Sequence, residues 1–220
     1  MKIVSTYDKL IITQFETTGL LSNVHEIIEI GAICCDSESL EILWEFETKV
    51  KPRNITVAQT EMLSVNGYNE AELANAPFLQ EGFGAYYFRL DHTMIFTAQN
   101  VLFYYDFYRA TITYQRLRDR LDPTPYGYNY HRLDIASMAY PFLNPPVYRI
   151  SQIAPAFGVE PEPIPHRAIH RARKEYQLLK EIMHRGSEWR WTYQEPFASV
   201  GARDIPQDPS LSSPLKHGAR

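Results

Sequence analysis

Three short stretches hold the residues that chemistry would need. The first, residues 11–20, reads Ile-Ile-Thr-Gln-Phe-Glu-Thr-Thr-Gly-Leu, so a carboxylate, Glu16, closes an apolar run just before a Thr17-Thr18-Gly19 turn. The second is Ala98-Gln99-Asn100-Val101-Leu102-Phe103-Tyr104, and the third is His166-Arg167-Ala168-Ile169-His170-Arg171-Ala172. Arg171 with His166 and His170 offers a grip for phosphate, because a guanidinium matches phosphate oxygens with two parallel donors. Each feature also has a plainer structural use. Threonines and glycine in a turn can cap a helix. His166 alone is a polar residue at a helix start, and Asn100 and Phe103 can serve packing as readily as a ligand. Arg167, Arg171, Arg173, Lys174 and Arg185 make the last helix locally basic, which is ordinarily a solvated face. The aromatic clusters at 86–88, 104–108 and 126–130 can stack nucleic-acid bases, although such residues more often fill a core.

The elements that must position these groups follow from pattern. Residues 10–15 are β-branched and apolar and end at a turn, which predicts a buried strand. Residues 27–35 and 40–50 are two further runs joined by Asp-Ser-Glu-Ser, which predicts an antiparallel hairpin. In the second run Trp44, Phe46 and Thr48 alternate with Glu45, Glu47 and Lys49. Helical pieces are expected between 56 and 90, a strand over 93–97, a long helix over 101–121 and a strand over 130–135. A short helix over 148–158 closes at Gly158, with Pro155 as an irregularity. Ile169, Ala172, Tyr176, Leu179 and Met183 share one helical face, and Gly186 is the expected stop. The order predicts an α/β chain with a mixed sheet. Residues 1–186 form its domain. Residues 187–220 form a Pro/Ser-rich tail, aromatic at Trp189, Trp191, Tyr193 and Phe197 and disordered towards its end.

Bulk properties narrow the classes. The 220 residues carry a net charge of −4, so nucleic-acid binding would need a local patch rather than a global basic field. Two adjacent cysteines, Cys34 and Cys35, cannot form a disulfide framework and suit a reducing compartment. No window approaches the roughly 20 apolar residues of a membrane span, and the N-terminus lacks a signal-peptide pattern. A cytoplasmic location is the expectation.

In order and spacing, the three stretches resemble the motifs of the DnaQ-like (DEDDh-type) 3′–5′ exonucleases. The family's first motif is Asp-x-Glu-Thr-Thr-Gly-Leu, and here Gln14 replaces the Asp while Glu16 to Leu20 stand. The second is His-Asn-x-x-Phe-Asp, in which Asn100 and Phe103 match and Tyr104 replaces the Asp. The third is His-x-Ala-x-x-Asp-Ala, in which His166, Ala168 and Ala172 match and Arg171 replaces the Asp. The segments 25–32, 132–136 and 148–159 are similar to the family's second strand, its strand-to-helix step and its Ser-Leu…Gly-Ile segment. The resemblance covers roughly residues 8–185.

The resemblance implies an RNase H-like three-layer fold, with a mixed five-stranded sheet flanked by helices. It also implies a site that has lost its chemistry. Family members hold two magnesium or manganese ions with four carboxylates, and a His acts as base on the attacking water. Here Glu16 alone remains, with His166 as the former base. Gln14 is neutral, Tyr104 is a phenol with a reference pKa near 10, and Arg171 would repel a metal. No metal cofactor is therefore expected. Four carboxylates with two divalent ions sum to zero charge, as does Glu16 with Arg171, so Arg171 is expected to occupy the metal region and pair with Glu16. Thr17, Thr18, Gly19, Asn100, Phe103, His166, His170 and Arg171 are the candidate nucleic-acid contacts. Three functions follow: a binder of single-stranded DNA or RNA ends that does not cut, a protein-docking scaffold using the 187–197 aromatic segment, or a weak exonuclease. The last would use Glu16 with other ligands such as Asp106 or Glu175. Asp106, two residues from the motif position on a helix, should face away.

Overall fold

A computed structural model of the chain describes residues 7–55, 58, 67–119, 131–143, 149–160, 163 and 165–197. The chain divides into two compact units, residues 1–182 and 183–220. The first is built on a five-stranded sheet of order β3-β2-β1-β4-β5. Its strands are β1 (Lys9–Thr17), β2 (Ile27–Asp36), β3 (Ile42–Lys49), β4 (Met94–Ala98) and β5 (Arg132–Asp134). The helices are α1 (Glu70–Ala74), α2 (Leu79–Tyr87), α3 (Val101–Asp119), α4 (Ile135–Ala139), α5 (Ile150–Ala156) and α6 (Ala168–Phe197).

Strand β1 is central and every position after Lys9 is buried, as its β-branched composition requires. It pairs antiparallel with β2 and parallel with β4, and β4 pairs parallel with β5, which makes the sheet mixed. The β2–β3 hairpin is closed by Asp36, whose Oδ1 accepts from the backbone of Glu38 and Ser39 and from the Ser39 hydroxyl. The edge strand β3 keeps Trp44 and Phe46 against the core and Glu45 and Glu47 in solvent, and charges of this kind protect an open edge.

Successive residues of β1 serve opposite layers. Ile11 and Phe15 join the aromatic core with Phe83 and Tyr86 of α2 and Phe107 of α3, and the Thr13 hydroxyl lies 2.6 Å from that of Tyr86. Gln14 and Glu16 face the other way, towards α6. That helix lies unusually close to the sheet: a Cβ on Gly31, the cross-strand partner of Gln14, would stand 2.2 Å from the backbone nitrogen of Ile169. Only glycine permits this approach.

Apart from 56–57 and 59–66, which lie outside the described residues, the expected elements are present with small shifts of boundary, and Gly158 closes α5 with a φ of 75°. One expectation fails. Helix α6 does not stop at Gly186 but runs to Phe197, so residues 187–197, the start of the expected tail, are helical. Glycine costs a helix about 1 kcal/mol relative to alanine but ends one only when it takes a left-handed conformation. Gly186 does not take one, unlike Gly158. The aromatic side chains of 189–197, the 198–220 end, the 126–130 aromatic loop and the side chains of Arg116, Arg118 and Arg120 lie outside the described residues. Among the described residues, no helix is long and apolar enough to cross a membrane.

Candidate functional site

The three sequence stretches meet at one end of the sheet, where β1 and β4 finish and α3 and α6 begin. Gln14 and Glu16, on β1, are 0% and 3% exposed. From α6, Glu175 reaches the same place. Its Oε2 accepts from Gln14 Nε2 at 2.7 Å and from the Gln99 backbone at 2.8 Å, which ties α6 to β1 and to the β4–α3 turn. Gln14 Oε1 is buried with no hydrogen-bond partner.

The β4–α3 turn is strained and clamped. Asn100 has φ of +62°, a left-handed conformation that asparagine tolerates better than most residues. On one side of it Gln99 N–H donates to Glu175, and on the other Val101 N–H donates to Asp134 Oδ2 at 3.1 Å. Asp134 also caps α4 through Ser137 N–H at 2.7 Å. Beyond the turn, Phe103 packs its ring edge-on to Tyr104 and tilted on Phe107, with centroids 5.1 and 5.0 Å away.

Tyr104 is 5% exposed, and its hydroxyl accepts from Arg171 Nη1 at 3.3 Å. Burial pushes its phenol well above the ordinary range. The Arg171 charge opposes that shift, and the Glu175 and Glu16 charges add to it. Tyr104 is therefore neutral, and one hydroxyl feels Arg171, Glu175 and Glu16 together.

The turn after β1 is engaged within itself. Thr17 Oγ1 donates to Gly19 O at 2.7 Å, and Thr18 exchanges two bonds of 2.9 Å with the Glu26 backbone. A Cβ on Gly19 would meet the His25 ring at 2.2 Å. These residues thus serve the chain reversal into β2, while the next apolar side chains, Leu20, Leu21 and Val24, stand exposed. At the start of α6, His166 and His170 are half-buried, and His170 Nδ1 has no hydrogen-bond partner.

Two residues that sequence reasoning passed over support that helix start. Glu29, cross-strand from Glu16 and 1% exposed, accepts from Ala168 N–H at 3.1 Å. Burial pushes its carboxyl above the usual range, against the Ala168 bond, Tyr68 and the Arg167 charge. Arg167 lies over the Tyr68 ring at 4.3 Å, with Lys49 over the same ring at 5.0 Å. The signal was available: Glu29 is an acid inside an otherwise apolar strand. Glu175 corrects the charge balance drawn from sequence, because the site holds a second carboxylate beside Glu16. Asp106 is exposed, as its helical position requires. Among the described residues, no group of three His, Cys, Asp or Glu side chains is placed to hold a metal ion.

This architecture defines an RNase H-like domain of the exonuclease type. Residues 11–179 match the exonuclease family RNase_T, and the chain belongs to that family. Solved structures agree on the fold. Escherichia coli exonuclease I with a dA16 oligonucleotide is 16% identical, with a TM-score of 0.65 over 84% of this chain and 43% of that one. A 3′-exonuclease described in 3′-end recognition of a histone mRNA stem-loop is 19% identical, with a TM-score of 0.66 over 84% and 66%. The rAMP-bound nuclease domain of 3′hExo, a DEDDh member, is 19% identical, with a TM-score of 0.64 over 83% and 94%. The chain thus spans less than half of exonuclease I but nearly all of an isolated nuclease domain. No curated protein matches it as a sequence relative.

Proposed function

We propose that this chain binds single-stranded nucleic-acid ends at the former exonuclease site without metal-dependent cleavage. The observation that carries the reading is the Arg171 guanidinium on the buried Tyr104 hydroxyl, with Glu175 held by Gln14 and the Gln99 backbone. Paired hard cations need several anionic oxygens at short range. Here an amide and a neutral phenol stand at two of the expected positions and a permanent cation at a third. The donor set does not fit two metal ions, so no cleavage step runs through them. Arg171, His166 and His170 remain suited to phosphate, and the exposed Leu20, Leu21 and Leu102 offer apolar faces beside the site. Structural neighbours with bound oligonucleotide or rAMP make nucleic acid the natural class to test. A cytoplasmic location belongs to the same reading.

The test is fluorescence anisotropy of end-labelled single-stranded DNA and RNA, in EDTA and then in magnesium or manganese. A stable rise in EDTA, unchanged by metal and falling steeply with salt, is the expected result. A signal that decays only with metal would overturn it in favour of a weak exonuclease. No signal under any condition would leave the protein-docking scaffold as the function.

A further inference from the structure

A row of cations follows β3 and is tied at both ends to the candidate site. Lys49, Lys51 and Arg53 alternate along the chain, with Val50 buried between the first two, and residues two apart in an extended segment share a face. Val50 N–H donates to Ile28 O at 2.8 Å and Lys51 N–H to Pro77 O at 2.7 Å, which fixes the segment. Lys49 shares the Tyr68 ring with Arg167, and Arg167 Nη1 donates to the His166 carbonyl at 3.2 Å. Arg53 donates through its backbone and Nε to the Glu26 carboxylate, and the Glu26 backbone is bonded to Thr18. The three charges are not spent alike. Glu26 neutralises Arg53 at 2.9 Å. Lys49 and Lys51 instead lie over the rings of Tyr68 and Phe78, at 5.0 and 5.2 Å, and among the described residues no carboxylate forms an ion pair with either. A ring holds a cation in place without cancelling its charge. Phe78 is itself 59% exposed. Cations interleaved with exposed rings are what proteins use to hold single strands, charge for the phosphates and a ring for a base. Lysine stems also cover rings simply to shield them, and that use predicts no dependence on charge.

We infer that Arg167, Lys49 and Lys51 form a phosphate track that leads a single strand away from its end at His166, His170 and Arg171, with Phe78 as a stacking platform beside it. The inference rests on the proposed binding of single-stranded ends and adds a direction and a footprint to it. The strand runs past the start of α6 towards residues 49–53, and several nucleotides are held rather than the last one alone. Two residues of extended chain span about 7 Å, close to the step between successive phosphates of an extended strand, so Lys49 and Lys51 serve neighbouring phosphates.

The experiment is fluorescence anisotropy in EDTA with a length series of oligothymidylates and oligouridylates, from dinucleotide to decanucleotide, at several salt concentrations. The full chain is compared with Lys49→Gln/Lys51→Gln, Lys49→Arg/Lys51→Arg and Phe78→Ala, each checked for an unchanged unfolding midpoint. Glutamine keeps a stem over the ring and removes only the charge. Parent affinity should climb with length and then level off. The glutamine pair should bind the longest oligonucleotide roughly tenfold more weakly, with a salt slope shallower by about one to two. That deficit should grow with length, and the arginine pair should restore both quantities. Phe78→Ala should weaken the long oligonucleotides without changing the salt slope. If the glutamine pair does not fold, Lys51→Gln alone replaces it, with a slope change of about one. A deficit equal at every length, or none at all, overturns the track and leaves end binding standing. No binding of any oligonucleotide by the parent overturns both.

Discussion

Two stretches at the end of β1 differ in how they are held. The Thr17–Gly19 turn keeps the family's residues, with Thr17 bonded to Gly19 and Thr18 to Glu26. Gln14, Tyr104 and Arg171 stand where the family's motifs have Asp, and Gln14 reaches Glu175, 161 residues away in sequence. The difference teaches that backbone geometry and charge are separable here. The turn's bonds described above are local. The charged centre depends on partners distant in sequence.

The sharpest way to break that comparison is to disturb the frame. Gly31→Val would place side-chain atoms in the backbone of α6, where nothing flexible can yield. Overpacking of this kind costs about 3 kcal/mol, and because α6 carries His166 to Glu175, the site would be lost with the fold. The expected outcome is a large drop in unfolding midpoint or an insoluble chain. An unchanged midpoint would mean that α6 is not seated against β2 as described.

The exchanged centre should answer to a smaller change. Glu175→Ala removes the acceptor of the buried Gln14 Nε2 and of the part-buried Gln99 N–H, and a buried donor left unsatisfied costs roughly 1–3 kcal/mol. Denaturant unfolding should show a loss of about 2–4 kcal/mol, with Glu175→Gln losing clearly less because it retains one acceptor. A loss no greater than the ~0.5 kcal/mol of an ordinary surface substitution would make Glu175 a bystander and collapse the contrast with the turn.

The same contrast explains what could be read from sequence. Strands β1 and β2, the α6 face through Ile169 and Ala172, and the positions of Gln14, Tyr104 and Arg171 follow from period, turn residues and motif spacing, all of which are local. Sequence names Glu175 only as a possible metal ligand; its role as the acceptor for Gln14 and the Gln99 backbone does not follow, because it is set by a fold-wide contact. Glu29 is visible as an acid inside an apolar strand, but its partner is not, because Ala168 lies 139 residues away. The continuation of α6 past Gly186 depends on backbone conformation, which residue type alone does not fix.

Glu29 also supplies the finest test of how frame and centre are joined. Its carboxyl is raised above the ordinary value of 4.5 by burial, despite the Ala168 N–H, Tyr68 and Arg167. A group that holds its proton more tightly folded than unfolded favours the fold when protonated. Its contribution is therefore full below pH 4.5 and declines as pH rises from there to the raised folded value. Other carboxyls run the opposite way: hydrogen bonds from the Ser39 backbone and hydroxyl and from Glu38 N–H hold Asp36 low. The useful quantity is therefore the difference between the parent and Glu29→Gln across pH. That difference should be flat in acid and drift in favour of the glutamine variant as pH rises past the carboxyl's range, by less than either change above. Drift in the other direction would mean that the α6 N-terminus and Arg167 outweigh desolvation, making Glu29 an anionic anchor for the His166 segment. The frame and the charged centre would then be one electrostatic unit, and a change at Arg171 would be felt in the seating of the helix itself.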